Sequence, residues 1–308
     1  QDFTPLQWEM AKKLADFSQK TFIAGDDDQA VHRWTGVNVD LFINASDDVE
    51  VLKQSYRIPE SIHRLSQHIV QRIDSRVEKE FFPREEMGTV EYVWNMDDIP
   101  FGEGSWTVMA RTNSYVKEMA KWFYKTGFKF STKGWPSISN KLVENIMAWE
   151  DLCQDKKLGV ERVKKLYSGL PKQGDDAVVQ RGATKRLDTL APEDELDMAT
   201  LMSDYGLLRG ADSAAYDVLK VSSSMRLYIE AIHRRGDDLL SPPRIKISTF
   251  HAMKGGEDDN CVVYTASTKA CVESKHPEDE HRAFYVGITR ARHSLYILQS
   301  NKDYRYTI

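Results

Sequence analysis

Three short stretches gather side chains that could act on a phosphate or a base. GDDDQAVHRWTG (25–36) sets three adjacent carboxylates before Gln29, then His32, Arg33 and Trp34. TFHAMKGGE (249–257) carries Thr249, His251, Lys254, Gly255, Gly256 and Glu257. EHRAFYVGITRARHSLYIL (280–298) carries Arg282, Arg290 and Arg292. Arginine offers a fixed fork of donors that matches phosphate oxygens and stays charged at working pH. One that reaches a transferring γ-phosphoryl group is worth a large rate factor. Paired glycines let the backbone approach a phosphate or a sugar closely. A fourth stretch, SYR (55–57), puts Tyr56 where its ring could stack on a base and Arg57 where it could reach a phosphate. Plainer readings stand beside each: a Gly-Asp turn with a core Trp, a Gly-Gly turn, a cationic helix end, a surface Tyr-Arg pair.

Positioning such groups needs a scaffold, and the periodicity supplies one. PLQWEMAKKLADF (5–17) places Leu6, Met10, Leu14 and Phe17 at helical spacing behind Pro5. Thr21–Ala24 reads as a short buried strand. Residues 59–73 form an amphipathic helix with Ile62, Leu65, Ile69 and Ile73 on one stripe. GTVEYVW (88–94), WTVMA (106–110), Phe128–Phe130, IKISTF (245–250), CVVYTA (261–266) and SLYIL (294–298) read as strands. Helices are expected over 114–126, ended by Gly127, and over about 279–290. Alternating strands and helices imply a parallel α/β sheet, with ligands at the carboxyl ends of its strands, where Thr249 and His251 fall. From 137 to 243 the chain turns helical and polar, as an insertion or second subdomain does.

Composition narrows the class. The 308 residues are 41% hydrophobic and 29% charged, as in an ordinary globular chain. No run has the length of a membrane span and no signal-peptide pattern opens the chain. Cys153, Cys261 and Cys271 form no CxxC pair, which argues against a zinc site or a disulfide framework and fits a reduced, cytoplasmic setting. A net charge of −5 disfavours nonspecific coating of nucleic acid but allows a local cleft that grips a single strand.

In chain order these stretches resemble the conserved motifs of superfamily 1 DNA helicases of the UvrD/Rep/PcrA type. GDDDQAVHRWTG looks like motif III and SYR like the NYR core of motif IV. VMARTN (108–113) looks like the strand segment after it. TFHAMKGGE looks like motif V, T-x-H-x-x-K-G-L-E, and YVGITRARHSLYI (285–297) like motif VI. Gln1-Asp2 resembles the tail of motif II. The likeness skips roughly 137–243. It implies a RecA-like domain interrupted by a helical insertion: 1–48 as the remnant of a preceding RecA-like domain, 49–136 and 244–308 as the two parts of the next, and 137–243 as the accessory insertion. It implies ATP with Mg²⁺ as cofactors, 3′→5′ translocation on single-stranded DNA, action at ss/ds junctions, and replication or repair proteins of a bacterial or phage-infected cell as partners.

By the same resemblance, Gln29 senses the γ-phosphate, Arg57 contacts it, and Arg290 is the arginine finger. Tyr56 stacks on adenine, Gly256 lies against the nucleotide, and Glu257 bonds the ribose. His32, Trp34, Thr249 and His251 face the single strand, and Asp26 serves local hydrogen bonding and the metal-water shell. No metal ligand set is expected within the chain. The departures are His32 for Tyr, Ser55 for Asn, Gly256 for Leu, a compact insertion, and the lack of any G-x-x-x-x-G-K-[ST] loop. The expectation is therefore the C-terminal part of a helicase that does not turn over ATP alone, with a motor-dead single-strand-binding or repair-partner module as the rival. A basic stretch, KKLGVERVKKLYSGLPKQG (156–174), with Arg181, Lys185 and Arg186, reads as a duplex contact or as a solvated helix face.

Overall fold

The computed structural model describes residues 1–308, which divide into two compact units: Gln1–Lys121 with Arg244–Ile308, and Trp122–Pro243. In the first unit, α1 (Pro5–Ala15) begins at a reciprocal cap between Thr4 and Gln7, with Pro5 in the first turn. Next come α2 (Glu60–Val70), β1 (Thr89–Val93), β2 (Trp106–Ala110) and α3 (Asn113–Thr126), whose last turns lie in the second unit. The chain returns as β3 (Ile245–Thr249), β4 (Asp258–Tyr264), α4 (Glu278–Ile288) and β5 (Ala291–Leu298).

Five strands pair in the order β1-β5-β4-β2-β3, every pair parallel. Thus the α/β parallel-sheet class expected from alternation is the observed one. β2 is buried along its whole length, as is the Cys261–Tyr264 run of β4. Interior parallel strands read as continuous apolar runs for this reason. The core fills the space between the sheet and the helices α2 and α4, with Ile62 and Ile69 from α2, Phe284, Val286 and Ile288 from α4, and Val263, Leu295 and Ile297 from the strands.

One expectation fails here. Thr21–Ala24 is not a strand: it pairs with nothing and is exposed throughout. β-propensity expresses itself only where a neighbouring strand offers a ladder. The stripe Leu6, Met10, Leu14 and Phe17 faces solvent, and the buried side chain of α1 is Trp8, edge-on to Phe3 at 5.6 Å. Helical spacing identifies an apolar stripe without naming what covers it.

The second unit holds helices Asn140–Cys153, Val160–Gly169 and Ser223–Arg234 with shorter turns between them. Its core gathers Trp149, Val163, Leu166, Tyr167, Leu187, Leu201, Ile229 and Ile232. Trp149 and Tyr167 satisfy their polar ends on the carbonyls of Ser213 and Tyr205. The short strand read at 128–130 lies instead at Phe130–Thr132, paired with Trp135–Pro136 across a turn at Lys133 and Gly134, both at positive φ.

Candidate functional site

The segment 25–36 is two short 3-10 turns, Asp27–Gln29 and Arg33–Thr35, with Val31 buried between them. Asp26 caps the first turn by accepting from the Asp28 N–H at 3.2 Å. Gly36 closes the second at φ +88°, where an L side chain is strained.

The three aspartates, read as a turn beside the nucleotide, are mostly internal. Asp27 and Asp28 are buried. Arg76 presents its fork to Asp28, with both nitrogens at 2.8 Å. Lys79 reaches all three carboxylates: Asp26 at 3.1 Å, Asp28 at 3.0 Å, and Asp27 in a closer contact. Burial works against ionisation of Asp28, yet Arg76 and Lys79 outweigh it and hold its pKa below the ordinary value. Arg282, fully buried on α4, donates to the backbone oxygens of Asp27 (3.1 Å) and Ser75 (2.5 Å) and pairs with Glu278. Arg76, Lys79 and the structural role of Arg282 were not read from the sequence. The one available signal was the four-residue spacing of Glu278 and Arg282 on a helix.

Gln29 leaves this knot on its far side. Its amide nitrogen donates to Asp26 at 2.6 Å, and its oxygen accepts from Arg290 Nη2 at 3.1 Å. Arg290, just past α4, is also fully buried. Its guanidinium reaches the carbonyls of Val286 (2.8 Å) and Gly256 (3.2 Å) and the Thr289 hydroxyl (2.9 Å), and it pairs with no carboxylate. Burial, then the nearby Arg57, pulls its pKa down to about 10, so it stays charged at neutral pH. Arg57 donates to Glu257 at 2.6 Å, and Arg292 reaches the other oxygen of the same carboxylate at 3.3 Å. The hydrogen bond from Arg57 holds the Glu257 pKa low. Arg57 and Arg292 thus share a single carboxylate, with the unpaired Arg290 near enough to feel its charge, an excess of positive charge suited to an anion. Tyr56 stands beside this group, 85% exposed.

His32 and Trp34 follow Gln29 in the chain. His32 sits 6.4 Å from Trp34 and 6.1 Å from His251, ring centroid to ring centroid. Trp34 is 76% exposed, unlike the core residue of the plainer reading. His251 lies just after β3, and burial, with Arg111 and His32 nearby, lowers its pKa to about 4. It is therefore a neutral ring at neutral pH. Thr249 spends its hydroxyl locally, accepting from the Ala252 N–H at 3.3 Å. Arg33 turns back from the aromatic tip to Asp279 of α4 at 2.9 Å. At the N-terminus, Gln1 accepts from the Asp26 N–H and Asp2 pairs with Lys254. No group of three His, Cys, Asp or Glu side chains is gathered that could hold a metal ion.

Two family profiles match the chain. That of the UvrD-like helicase C-terminal domain covers residues 222–302, and that of the UvrD/REP helicase N-terminal domain covers residues 1–50. These stretches contain every candidate residue except Tyr56 and Arg57. The chain is similar to the ATP-dependent DNA helicase PcrA of Bacillus subtilis, 21% identical over 398 aligned positions that cover 96% of this chain and 53% of that protein. It is also similar to a probable DNA helicase II homolog of Mycoplasma capricolum, 22% identical with 99% and 55% covered. The chain spans about half the length of these curated relatives. Among solved structures, the C-terminal domain of a possible DNA helicase from Lactobacillus plantarum aligns with 80% of this chain and 89% of that one, at 11% identity and a TM-score of 0.33. No helix of the chain is long and apolar enough to cross a membrane.

Proposed function

From a chain that is UvrD/PcrA-like, we propose the C-terminal part of an ATP-driven translocase on single-stranded DNA, which unwinds duplex at ss/ds junctions with 3′→5′ polarity. Residues 1–48 end one RecA-like domain, 49–136 and 244–308 form a second, and 137–243 are the accessory insertion. Arg57, Arg290 and Gln29 act on the γ-phosphate of ATP. Tyr56 stacks on adenine, Gly256 lines the nucleotide, and Glu257 bonds the ribose. His32, Trp34, Thr249 and His251 face the single strand.

The observation that carries this reading is the 3.1 Å bond from Arg290 to Gln29. It joins a cationic group suited to a polyphosphate to the segment bearing the exposed Trp34 and its neighbour His32. Stacking on a base is indifferent to sequence and worth about 1–3 kcal/mol per base, as a motor stepping along any strand requires. ATP fits the three arginines around Glu257. Mg²⁺ has no matching acidic site here, because Asp26, Asp27 and Asp28 are already engaged by Lys79 and Arg76. These 308 residues hold no phosphate-cradling G-x-x-x-x-G-K-[ST] loop, so the chain by itself does not turn over ATP.

The test is ATP hydrolysis by the chain extended upstream through its reading frame, with and without single-stranded DNA, beside an Arg290→Ala version. Hydrolysis stimulated by DNA and lost on the substitution supports the motor. A silent extended chain that still binds single strands overturns it in favour of a binding module.

A further inference from the structure

β1 ends the five-strand sheet, and its outer edge is open. Val93 accepts from the Gln299 N–H at 2.8 Å, so Thr89, Glu91 and Val93 turn their backbone groups toward β5. Val90 and Tyr92 turn theirs the other way, and no backbone hydrogen bond from another segment meets them. Side chains alternate along the same strand. Tyr92 is 50% exposed and Trp94, two residues on, is 55% exposed, while Glu91 lies exposed on the opposite face. Sheet edges are ordinarily blunted by lysine, proline or a bulge. β1 has no lysine, proline or bulge, and its one charge is the exposed Glu91.

Its charge is also lopsided. Residues 85–105 contain Glu85, Glu86, Glu91, Asp97, Asp98 and Glu103 and no Lys, Arg or His. Arg84 pairs with Glu86, and Arg244 spends its guanidinium on the carbonyls of Gly102 and Gly104. Glu91 makes no ion pair.

We propose that β1 is a docking edge for an extended cationic peptide segment of a partner protein, added as a further strand. Its backbone pairs with Val90 and Tyr92. Apolar side chains on one face pack on Tyr92 and Trp94, and Lys or Arg on the other face meets Glu91, an alternation a strand supplies without strain. Charge selects this occupant over a second copy of the chain. Two β1 edges paired about a two-fold axis bring Glu91 close to its own counterpart, and opposed like charges are destabilising.

Three short peptides test it on the 308-residue chain: alternating Lys-Val, its Glu-Val counterpart, and Lys-Val with a central proline. Binding is read by anisotropy, and its place by hydrogen exchange of residues 88–95. The expected result is that only the first binds and slows exchange at Val90 and Tyr92. Glu91→Lys should weaken it roughly tenfold without moving the melting temperature. Tyr92→Pro, which removes an outward N–H, should abolish it. Equal binding of the proline peptide, protection elsewhere in the chain, no binding of any peptide, or protection of β1 by self-association each overturns the proposal.

Discussion

Two charged clusters sit at opposite ends of the short turn Asp27–Gln29, and they are built on opposite principles. At one end three aspartates are sealed by Arg76 and Lys79, and the buried Arg282 takes the backbone beneath them. At the other, Arg57 and Arg292 share one carboxylate, Glu257, while Arg290 beside them pairs with none, and both members of the Arg57–Glu257 pair keep about a third or more of their side chains in water. A cluster that satisfies its own charge is scaffold. One that leaves positive charge in excess is suited to an anion that is not part of the chain. Gln29 joins them, with Asp26 on its nitrogen and Arg290 on its oxygen.

The largest effect should fall on the open cluster. Arg290→Lys keeps the charge and loses the fork, so the extended chain should lose about a thousandfold or more in DNA-stimulated ATP hydrolysis. Its melting temperature should fall only modestly. Hydrolysis close to the unsubstituted rate would make Arg290 a structural residue like Arg282, and the contrast would dissolve. The sealed cluster should respond in the opposite sense. Arg76→Ala leaves the buried Asp28 carboxylate with half its compensation and should cost about 3–5 kcal/mol of folding stability. Urea unfolding of the 308-residue chain measures it, and a loss below about 1 kcal/mol would mean that Asp28 is far better solvated than its burial indicates.

That contrast also marks what the sequence could disclose. Arg57, Glu257 and Arg290 announce themselves because each stands in a stretch whose neighbours repeat a recognisable order, and the strands that begin just after Glu257 and Arg290 hold unbroken apolar runs such as CVVY. The sealing partners do not. Arg76 and Lys79 sit in SRVEKE, a charged stretch with no period, roughly fifty residues from the carboxylates they neutralise. Pairing across that separation is decided by where α2 ends, which no local pattern encodes. Thr21–Ala24 fails for a related reason. Its residues favour a strand, but a strand is a relation between two segments.

A smaller effect should come from the aromatic tip. Trp34→Ala should weaken single-strand binding by about 1–3 kcal/mol across all sequences. Stability should hold, because the ring is 76% exposed and packs on no core. Anisotropy with labelled oligonucleotides of differing base composition reads both the loss and its uniformity. A loss confined to one base would turn the tip from a tolerant grip into a reader of sequence.

A further expected effect separates the two ends by pH. Asp28 is held below its ordinary pKa, so the stability it lends is present above about pH 4 and lost as pH falls through its folded value. His251 is also depressed, to about 4, from an unfolded value near 6.5. The folded chain refuses a proton that the unfolded chain accepts, so the contribution of His251 is whole above about pH 6.5 and drains away between there and about pH 4. The two limbs therefore do not overlap. His251→Gln should flatten the fall in urea midpoint between those values and leave the steeper loss below pH 4 in place. Some slope will persist in the substituted chain, since burial lowers the pKa of His63 and His281 as well. An unchanged slope would mean that the ring beside His32 takes up its proton as freely folded as unfolded, and is open to water rather than held neutral against the aromatic tip.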